Sequence, residues 1–383
     1  MAEHRRRGMV FLCLASAAVG FAMMIQMGLN ANFVAGELRI TGLQQGMLEA
    51  ARETCGITAL AVLAVLAGLA EPMIAAGSLI VFAAGLGCYA FVPDYAWLVA
   101  ASLLWSQGLH VWMPLPGSMA LSLAEPGQAG RRLGQIGAAG AVGSALGLVT
   151  ALLLSVVAVP IRPQYVLGGA VALLAALACL AIPRAIKTPG PRLALRRKCA
   201  LFYVLSFLEG WRKQISIAFA GFLLVRNYQT PLKVMLVLWI IVQAIGWFSM
   251  PLVGRLIDRV GERKVLVFYF AGLTLFFCGY ALVRNQYCLW ALFVVDNAFF
   301  VFAMALTTYV RRIAPPSEYT QTLSMGVAMN HVAAVSMPII GGVLWKYCGF
   351  QWAFFAGAAV AALSILPALR IPPRGAPPAA KSG

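Results

Sequence analysis

Apolar residues run through this chain in long unbroken blocks, each ended by a short cluster of Gly, Pro, Asn, Asp or basic residues. A helix needs about 20 apolar residues to cross the hydrocarbon core of a bilayer. Continuous apolarity, without period-two alternation, argues against the strands of a transmembrane barrel. Twelve spans are predicted, at 8–36, 43–68, 72–92, 96–122, 131–159, 163–182, 199–225, 231–254, 264–283, 287–312, 319–346 and 350–371. Several are longer than a perpendicular crossing requires, which implies tilt or extension beyond the lipid. The predicted fold class is an all-α polytopic membrane protein. Most connections are short. The one long connection, Pro183 to Lys198, reads PRAIKTPGPRLALRRK and carries helix-breaking proline and glycine. It divides the spans six and six. The expected organisation is a first bundle at 1–182, a basic linker at 183–198, a second bundle at 199–371 and a disordered tail, PPRGAPPAAKSG, at 372–383.

Composition agrees. Of 383 residues, 62% are hydrophobic and 11% charged, too little charge to cover a soluble protein of this size. The net charge of +17 invites a nucleic-acid reading, but its placement points elsewhere. Threading the spans from the N-terminus puts Arg5, Arg6, Arg7, Arg131, Arg132, the six cations from Arg184 to Lys198, and Arg255, Arg259, Arg263 and Lys264 on one side. Arg311, Arg312, Arg370, Arg374 and Lys381 join them, while Arg39, Arg162, Arg226, Lys233, Arg284 and Lys346 fall on the other side. That asymmetry is the positive-inside pattern and predicts both termini in the cytoplasm of a cell with this protein in its inner membrane. The partners it implies are the lipid bilayer and a small molecule, with no nucleic acid and a monomer as the working form. The start, HRRRGMVFLCLASAAVGFAMMIQ, has the charge of a signal peptide, but its apolar run is too long and its small-residue triplet lies inside the run, so it reads as the first span. Eight cysteines, none in CxxC spacing and most inside spans, indicate neither a disulfide framework nor a zinc site.

Against this background the stretch Cys199 to Val225, CALFYVLSFLEGWRKQISIAFAGFLLV, is unusual. Glu209, Arg212 and Lys213 sit in its middle, where each charge costs about 3 kcal/mol or more in lipid. The i,i+3 and i,i+4 spacings put all three on one helical face. One carboxylate cannot neutralise two cations, so the surplus positive charge needs another helix or a ligand. Two readings stand: a cavity-facing, substrate- or gate-related site, or a structural lock in which Glu209 pairs with Arg212 and Lys213 meets Asp296.

Other polar positions extend this set. Glu49, Arg52 and Glu53 cluster in span two, and Asp296 with Asn297 lies about two and a half turns into span ten. Intramembrane carboxylates are candidates for proton exchange or charge balance. His331 is grouped with Glu49, Glu53, Glu209 and Asp296 in that role, while Gln26, Asn30, His110 and Asn330 suit hydrogen bonding to a solute beside Arg212, Lys213 and Arg52. Trp105, Trp112, Trp239 and Trp247 suit packing or interfacial anchoring more than a solute path. No GxSxG, P-loop or Walker-type GK[ST] occurs, so no enzyme chemistry, ATP-driven pumping, metal or cofactor is expected.

Twelve spans split by a basic central loop resemble the major facilitator superfamily of transporters. The resemblance sharpens at Gly254–Lys264, GRLIDRVGERK, which is similar to the Gly-x-x-x-Asp-Arg-x-Gly-Arg-Lys loop signature of that superfamily. Gly254, Asp258, Arg259 and Gly261 fit it, Arg263 supplies the last basic position, and Glu262 departs from it. Gly254 would let helices approach, and Gly261 would permit a tight turn. The equivalent first-half loop, AGLAEPMIAAG, keeps Gly68 but has lost its basic residues, with Pro72 at the aspartate position and Glu71 one residue short. Span four has Gln107-Gly108 of the proton-linked signature but Leu104 at its arginine position. Span five has Gly140, Gly143 and Gly147 without the Gly-Pro pair of drug antiporters, so these glycines are expected to serve helix packing. Setting Gly68 opposite Gly254, an offset of 186, carries Gln26 onto Arg212 and His110 onto Asp296, which suggests an internal repeat. The resemblance implies two six-helix bundles related by a pseudo-two-fold, alternating access, and a site near mid-membrane lined by spans one, four, seven and ten.

The function expected from the sequence is secondary active transport of a small anionic or zwitterionic solute, with a carboxylate exchanging a proton as the coupling route. Export of amphipathic compounds and a non-transporting sensor or assembly factor on the same scaffold are the alternatives.

Overall fold

The computed structural model describes residues 2–125, 127–187, 195–315 and 318–373. The middle of the expected linker and the tail beyond 373 lie outside the described residues. All regular structure among them is helical. Twelve segments account for the predicted spans: α1 at 2–37, α2 at Gly42–Val65, α3 at Glu71–Cys88, α4 at 95–123, α5 at Ala129–Val156 and α6 at Ile161–Leu180. The second six are α7 at 200–226, α8 at Leu232–Val260, α9 at Glu262–Leu282, α10 at Gln286–Ile313, α11 at Tyr319–Tyr347 and α12 at Phe350–Leu369.

Nine of these are both long and apolar enough to cross a membrane, which makes this a multi-pass membrane protein. The three that fall short are α2, α4 and α7. Helices α2 and α7 each carry three charges within the apolar stretch, Glu49, Arg52 and Glu53 in one and Glu209, Arg212 and Lys213 in the other. Helix α4 is broken, with Tyr95–Trp112 and Leu115–Leu123 separated at Met113-Pro114. The sequence predicted one continuous span there. Pro114 and Pro116 have no N–H to continue the ladder, and Pro114 enters the second piece as its cap. Irregular turns mark three other helices. Helix α1 ends in π turns at Asn32–Glu37, α7 widens into π turns at Ser216–Ala220, and α10 tightens to a 3₁₀ turn at Phe300–Ala303. Such departures from α geometry recur at functional positions.

The chain forms two compact units, Met1–Pro191 with Gly221–Ile241, and Arg192–Ala220 with Val242–Gly383. The tip of the α7–α8 hairpin, Gly221–Ile241, therefore groups with the first unit, whereas the expected second bundle ran from 199 to 371. There Asn32 Nδ2 donates to the Thr230 carbonyl at 3.0 Å, and a Cβ on Gly28 would come within 2.7 Å of Leu236. In the first unit α1 lies along α5 and α6, and α3 lies along α4 and α6. In the second α7 lies along α11 and α12, and α9 along α12. Two of the three glycines expected to pack helices do so: a Cβ on Gly143 would collide with the Ala17 carbonyl, and one on Gly147 with that of Phe21, while one on Gly140 would make an ordinary contact 3.6 Å from the Ser16 carbonyl.

The two halves repeat at a spacing of 190 residues, four more than the loop glycines suggested. Arg39 and Gln229, 190 apart, both adopt φ of 50° in the turns that leave α1 and α7. The bonds Ile40 N–H to Val34 O and Thr230 N–H to Leu224 O, each 3.0 Å, follow the same spacing. A Cβ on Gly20 would meet Gly140 O, and one on Gly210 would meet Asn330 O, again 190 residues on. Asp94 caps α4 and Asn285 caps α10, each accepting two backbone N–H groups. The pairings Gln26–Arg212 and His110–Asp296 thus stand about one helical turn out of register. Gly68, at φ 88°, lies in an open turn, whereas Gly254 lies inside α8, so aligning them slid the halves past each other.

Candidate functional site

In the second unit the charges of α7 are built into a buried network. Arg212 has no exposed surface. Its Nη2 donates to Glu209 Oε1 at 2.5 Å and its Nε to Oε2 at 3.3 Å, a forked pair across one helical turn. Nη2 also donates to the Tyr269 hydroxyl at 2.7 Å, and that hydroxyl donates to Glu209 Oε1 at 3.0 Å. The guanidinium lies 5.1 Å from the Tyr269 ring and 5.2 Å from the Phe300 ring, within cation–π range. The 3₁₀ turn of α10 supplies Phe300 and sets Phe299 and Phe302 around Tyr269. Gly210 lets α11 close on α7 here, and Asn330 Nδ2 reaches the Ser206 carbonyl at 3.2 Å.

Arg212 and Lys213 are thereby divided. Arg212 is paired; Lys213 is half-buried and makes no ion pair among the described residues. The lock expected between Lys213 and Asp296 is not made. Asp296, fully buried, accepts from the Tyr280 hydroxyl at 3.4 Å and lies in the field of Arg212, with Ser216 beside it without a completed hydrogen bond. Its other oxygen has no partner. Neither do Trp211 Nε1, Arg212 Nη1 or the two amide atoms of Gln214, all buried within one and a half turns of α7. Buried polar atoms are normally paired, so this concentration marks the segment as one built for further hydrogen bonds. Sequence reading missed Tyr269, Tyr280 and Gln214. The tyrosines look like ordinary membrane aromatics until a buried charge is found at their hydroxyls, and Gln214 was readable as one more polar residue on the charged turn.

The first unit holds a second charged cluster. Glu49 is buried and accepts Arg52 Nη1 at 2.7 Å and Gln45 Nε2 at 3.3 Å. The Arg52 guanidinium, 17% exposed, stacks 4.3 Å over Trp105, whose Nε1 donates to the Tyr89 hydroxyl at 3.0 Å. Arg52 Nε has no partner. Ser106 on α4 donates to the Arg52 carbonyl at 3.1 Å, and His110 Nδ1 lies 2.8 Å from the Ser106 carbonyl, so His110 is held within its own helix. Glu53 is half-buried beside this pair. Gln26 donates to Asn30 at 3.1 Å along α1, away from both clusters in hydrogen-bond terms. Asn297 turns back to the Phe293 carbonyl at 2.8 Å, and His331 is half-buried on α11. Of the four tryptophans, Trp105 and Trp112 are buried packing residues and Trp247 is exposed. All eight cysteines are free thiols, and no group of His, Cys, Asp and Glu among the described residues is placed to hold a metal.

Residues 202–383 match the family model described as Major Facilitator Superfamily. Over nearly its whole length the chain superposes on solved structures of the same architecture. It is similar to the nucleoside transporter NupG (TM-score 0.77, 15% identity, 95% of this chain and 98% of that one). It is similar also to the D-xylose–proton symporter (0.72, 14%, 95% and 97%). A bacterial homologue of the human lysosomal transporter Spinster, inward-facing and occupied, superposes at 0.71 with 12% identity, covering 94% and 95%. No curated protein matches the chain in sequence. The fold is that of the major facilitator superfamily.

Within that facilitator fold the loop signature needs correction at one point. Gly254, Asp258 and Arg259 were expected in a loop, but α8 runs on to Val260, and the connection to α9 is Gly261 alone, at φ 84°. The apolar positions Leu256, Ile257 and Val260 sustain the helix past Gly254, and a Cβ on Gly254 would meet nothing within 4 Å, so no close approach is made there. Glu262, the departure from the signature, opens α9 and accepts Arg312 Nη1 of α10 at 2.8 Å. Glu71 opens α3 in the same way. It is buried and accepts the Ser118 hydroxyl of α4 at 2.7 Å, while its own N–H reaches the Ile186 carbonyl at 2.9 Å. The first-half loop that lost its basic residues thus keeps a buried glutamate bonded to α4, as Glu262 is to α10.

Proposed function

We propose that the protein is a secondary active transporter that moves a small anionic or zwitterionic solute by alternating access. The observation that carries this reading is the turn of α7 that follows Glu209. It holds one cation without an ion pair, Lys213, next to the unmatched hydrogen-bonding atoms of Trp211, Arg212 and Gln214. A solute with a carboxylate or phosphate and a polar body would satisfy both. Lys213 takes the anionic group as a point charge, Gln214 and Trp211 bond the polar body, and the Glu209–Arg212–Tyr269 network holds the helix turn in place. In the first unit the corresponding candidates are Arg52 and Glu49. Asp296, with one oxygen unmet, is the proposed proton-exchanging carboxylate, with Glu49, Glu53 and Glu209 balancing the cations. The charge asymmetry of the loops supports a cytoplasmic location for both termini.

The test begins with a thermal-shift screen of metabolites on purified protein, since a ligand that binds the folded state raises its stability by mass action. The solute so found is then followed into proteoliposomes. Lys213→Gln is expected to abolish both ligand-induced stabilisation and uptake while leaving the melting temperature of the ligand-free protein unchanged. Full uptake by Lys213→Gln would refute the site. Absence of any solute-dependent flux would instead favour the sensor or assembly-factor alternative.

A further inference from the structure

A cavity of about 570 Å³ opens at the junction of α8 and α9, in the second unit. Its walls are Arg259, Arg263, Lys264 and Arg312, with Glu262, Gly261 and the backbone of Pro372 and Pro373. Its charges do not cancel. Arg312 is committed to Glu262 through Nη1, and its Nη2 donates to the Pro372 and Pro373 carbonyls at 3.1 and 3.2 Å. Arg259, Arg263 and Lys264 make no ion pair with any described residue. Among the lining residues the one carboxylate, Glu262, is neutralised by Arg312. Three cations without an ion pair around one concavity focus a positive potential there and raise the local concentration of anions.

The backbone adds donors to the same place. Gly261, at φ 84°, turns the chain sharply, so the 21-residue α9 starts inside the cavity wall with no side chain capping it. The N–H groups of Glu262, Arg263 and Lys264 belong to that first turn and have no intrahelical acceptor. Two guanidinia, an ammonium and a run of free amides form the donor set that matches the several oxygens of a phosphate better than the two of a carboxylate.

We infer that this cavity is a binding site for a phosphate group, separate from the α7 site and independent of the transport reading. The phosphate can come from the headgroup of an anionic phospholipid or from a soluble phosphate compound. Occupation would bridge α8 to α9 across the single-residue turn.

The experiment uses the full chain in nanodiscs of phosphatidylcholine doped with phosphatidylglycerol, with retained lipid read by native mass spectrometry. In parallel, inorganic pyrophosphate is titrated into detergent-solubilised protein and the melting temperature followed. A cation near the membrane surface contributes roughly fivefold to the binding of an anionic lipid, so Arg259→Gln, Arg263→Gln and Lys264→Gln together should weaken binding on the order of 100-fold. Lys264→Gln alone, which removes an exposed side chain and leaves the turn intact, should show a partial loss and guards against misfolding of the triple variant. The control is Arg5→Gln, Arg6→Gln and Arg7→Gln, which removes the same charge elsewhere and should leave binding unchanged. Selective retention of phosphatidylglycerol alone assigns the site to lipid; a pyrophosphate shift alone assigns it to a soluble anion. Equal losses in the two triple variants, or no preference for phosphate in either arm, would overturn the inference.

Discussion

Removal of the carboxylate beside Arg212 should be the most damaging single change in the second unit. In Glu209→Gln the guanidinium remains with no exposed surface, two of its three bonds are weakened or lost, and only the Tyr269 hydroxyl and two aromatic rings face it. Leaving one partner of a buried pair uncompensated costs about 3–5 kcal/mol. Arg212→Met should cost less, because Glu209, 6% exposed, keeps the hydrogen bond from the Tyr269 hydroxyl. Tyr269→Phe deletes one donor and one acceptor to charged groups, at about 1.5–3 kcal/mol for each such bond. The double variant Glu209→Leu/Arg212→Met replaces the pair by apolar groups of similar volume and should recover most of the loss, since a buried pair often contributes little net stability over a hydrophobic match. The assay is reversible unfolding in detergent for these four variants, with Glu209→Leu added so that it, Arg212→Met and the double variant close a double-mutant cycle. A cost for Glu209→Gln below about 1 kcal/mol, the range of solvated pairs, would refute the claim that the pair is desolvated. Uptake gives an independent reading. If the pair only locks helices, the double variant transports normally; on the proposed function it is stable and inactive.

Two further predictions rest on the repeat. Gly20→Ala and Gly210→Ala each drive a methyl group into a backbone carbonyl of a neighbouring helix, and overpacking of this kind costs about 1–3 kcal/mol. Gly137→Ala on α5, with nothing within 4 Å, should be neutral in the same melting assay, and parity of all three would contradict the close approach. Asp94→Ala and Asn285→Ala each remove a cap that accepts two N–H groups, and both should lose about 1 kcal/mol; a large difference between them would argue against equivalent roles in the two halves.

Reading the chain from its sequence succeeded where a single local property decides the outcome. The membrane helices are legible because about 20 apolar residues in a row have one low-energy home. Glu209 and Arg212 are legible as a pair because i,i+3 spacing makes them neighbours on any helix. The sequence misjudged depth. An offset error of four residues turns a helix by little more than one revolution, so the faces still coincide and nothing in the polar pattern protests. It misjudged helix ends for a related reason: Gly254 looks like a terminus, but helical residues on both sides override one glycine.

The amino-acid order alone determined that this protein is a helical membrane protein with charges it cannot hide in lipid, because apolar length and the cost of intramembrane charge act locally along the chain. Which of those charges are satisfied was decided only by tertiary structure. Tyr269 comes to Arg212 from 57 residues away and Arg312 to Glu262 from 50, and such meetings depend on how helices pack against one another. That packing leaves Lys213, one residue from the ion-paired Arg212, without an ion pair among the described residues.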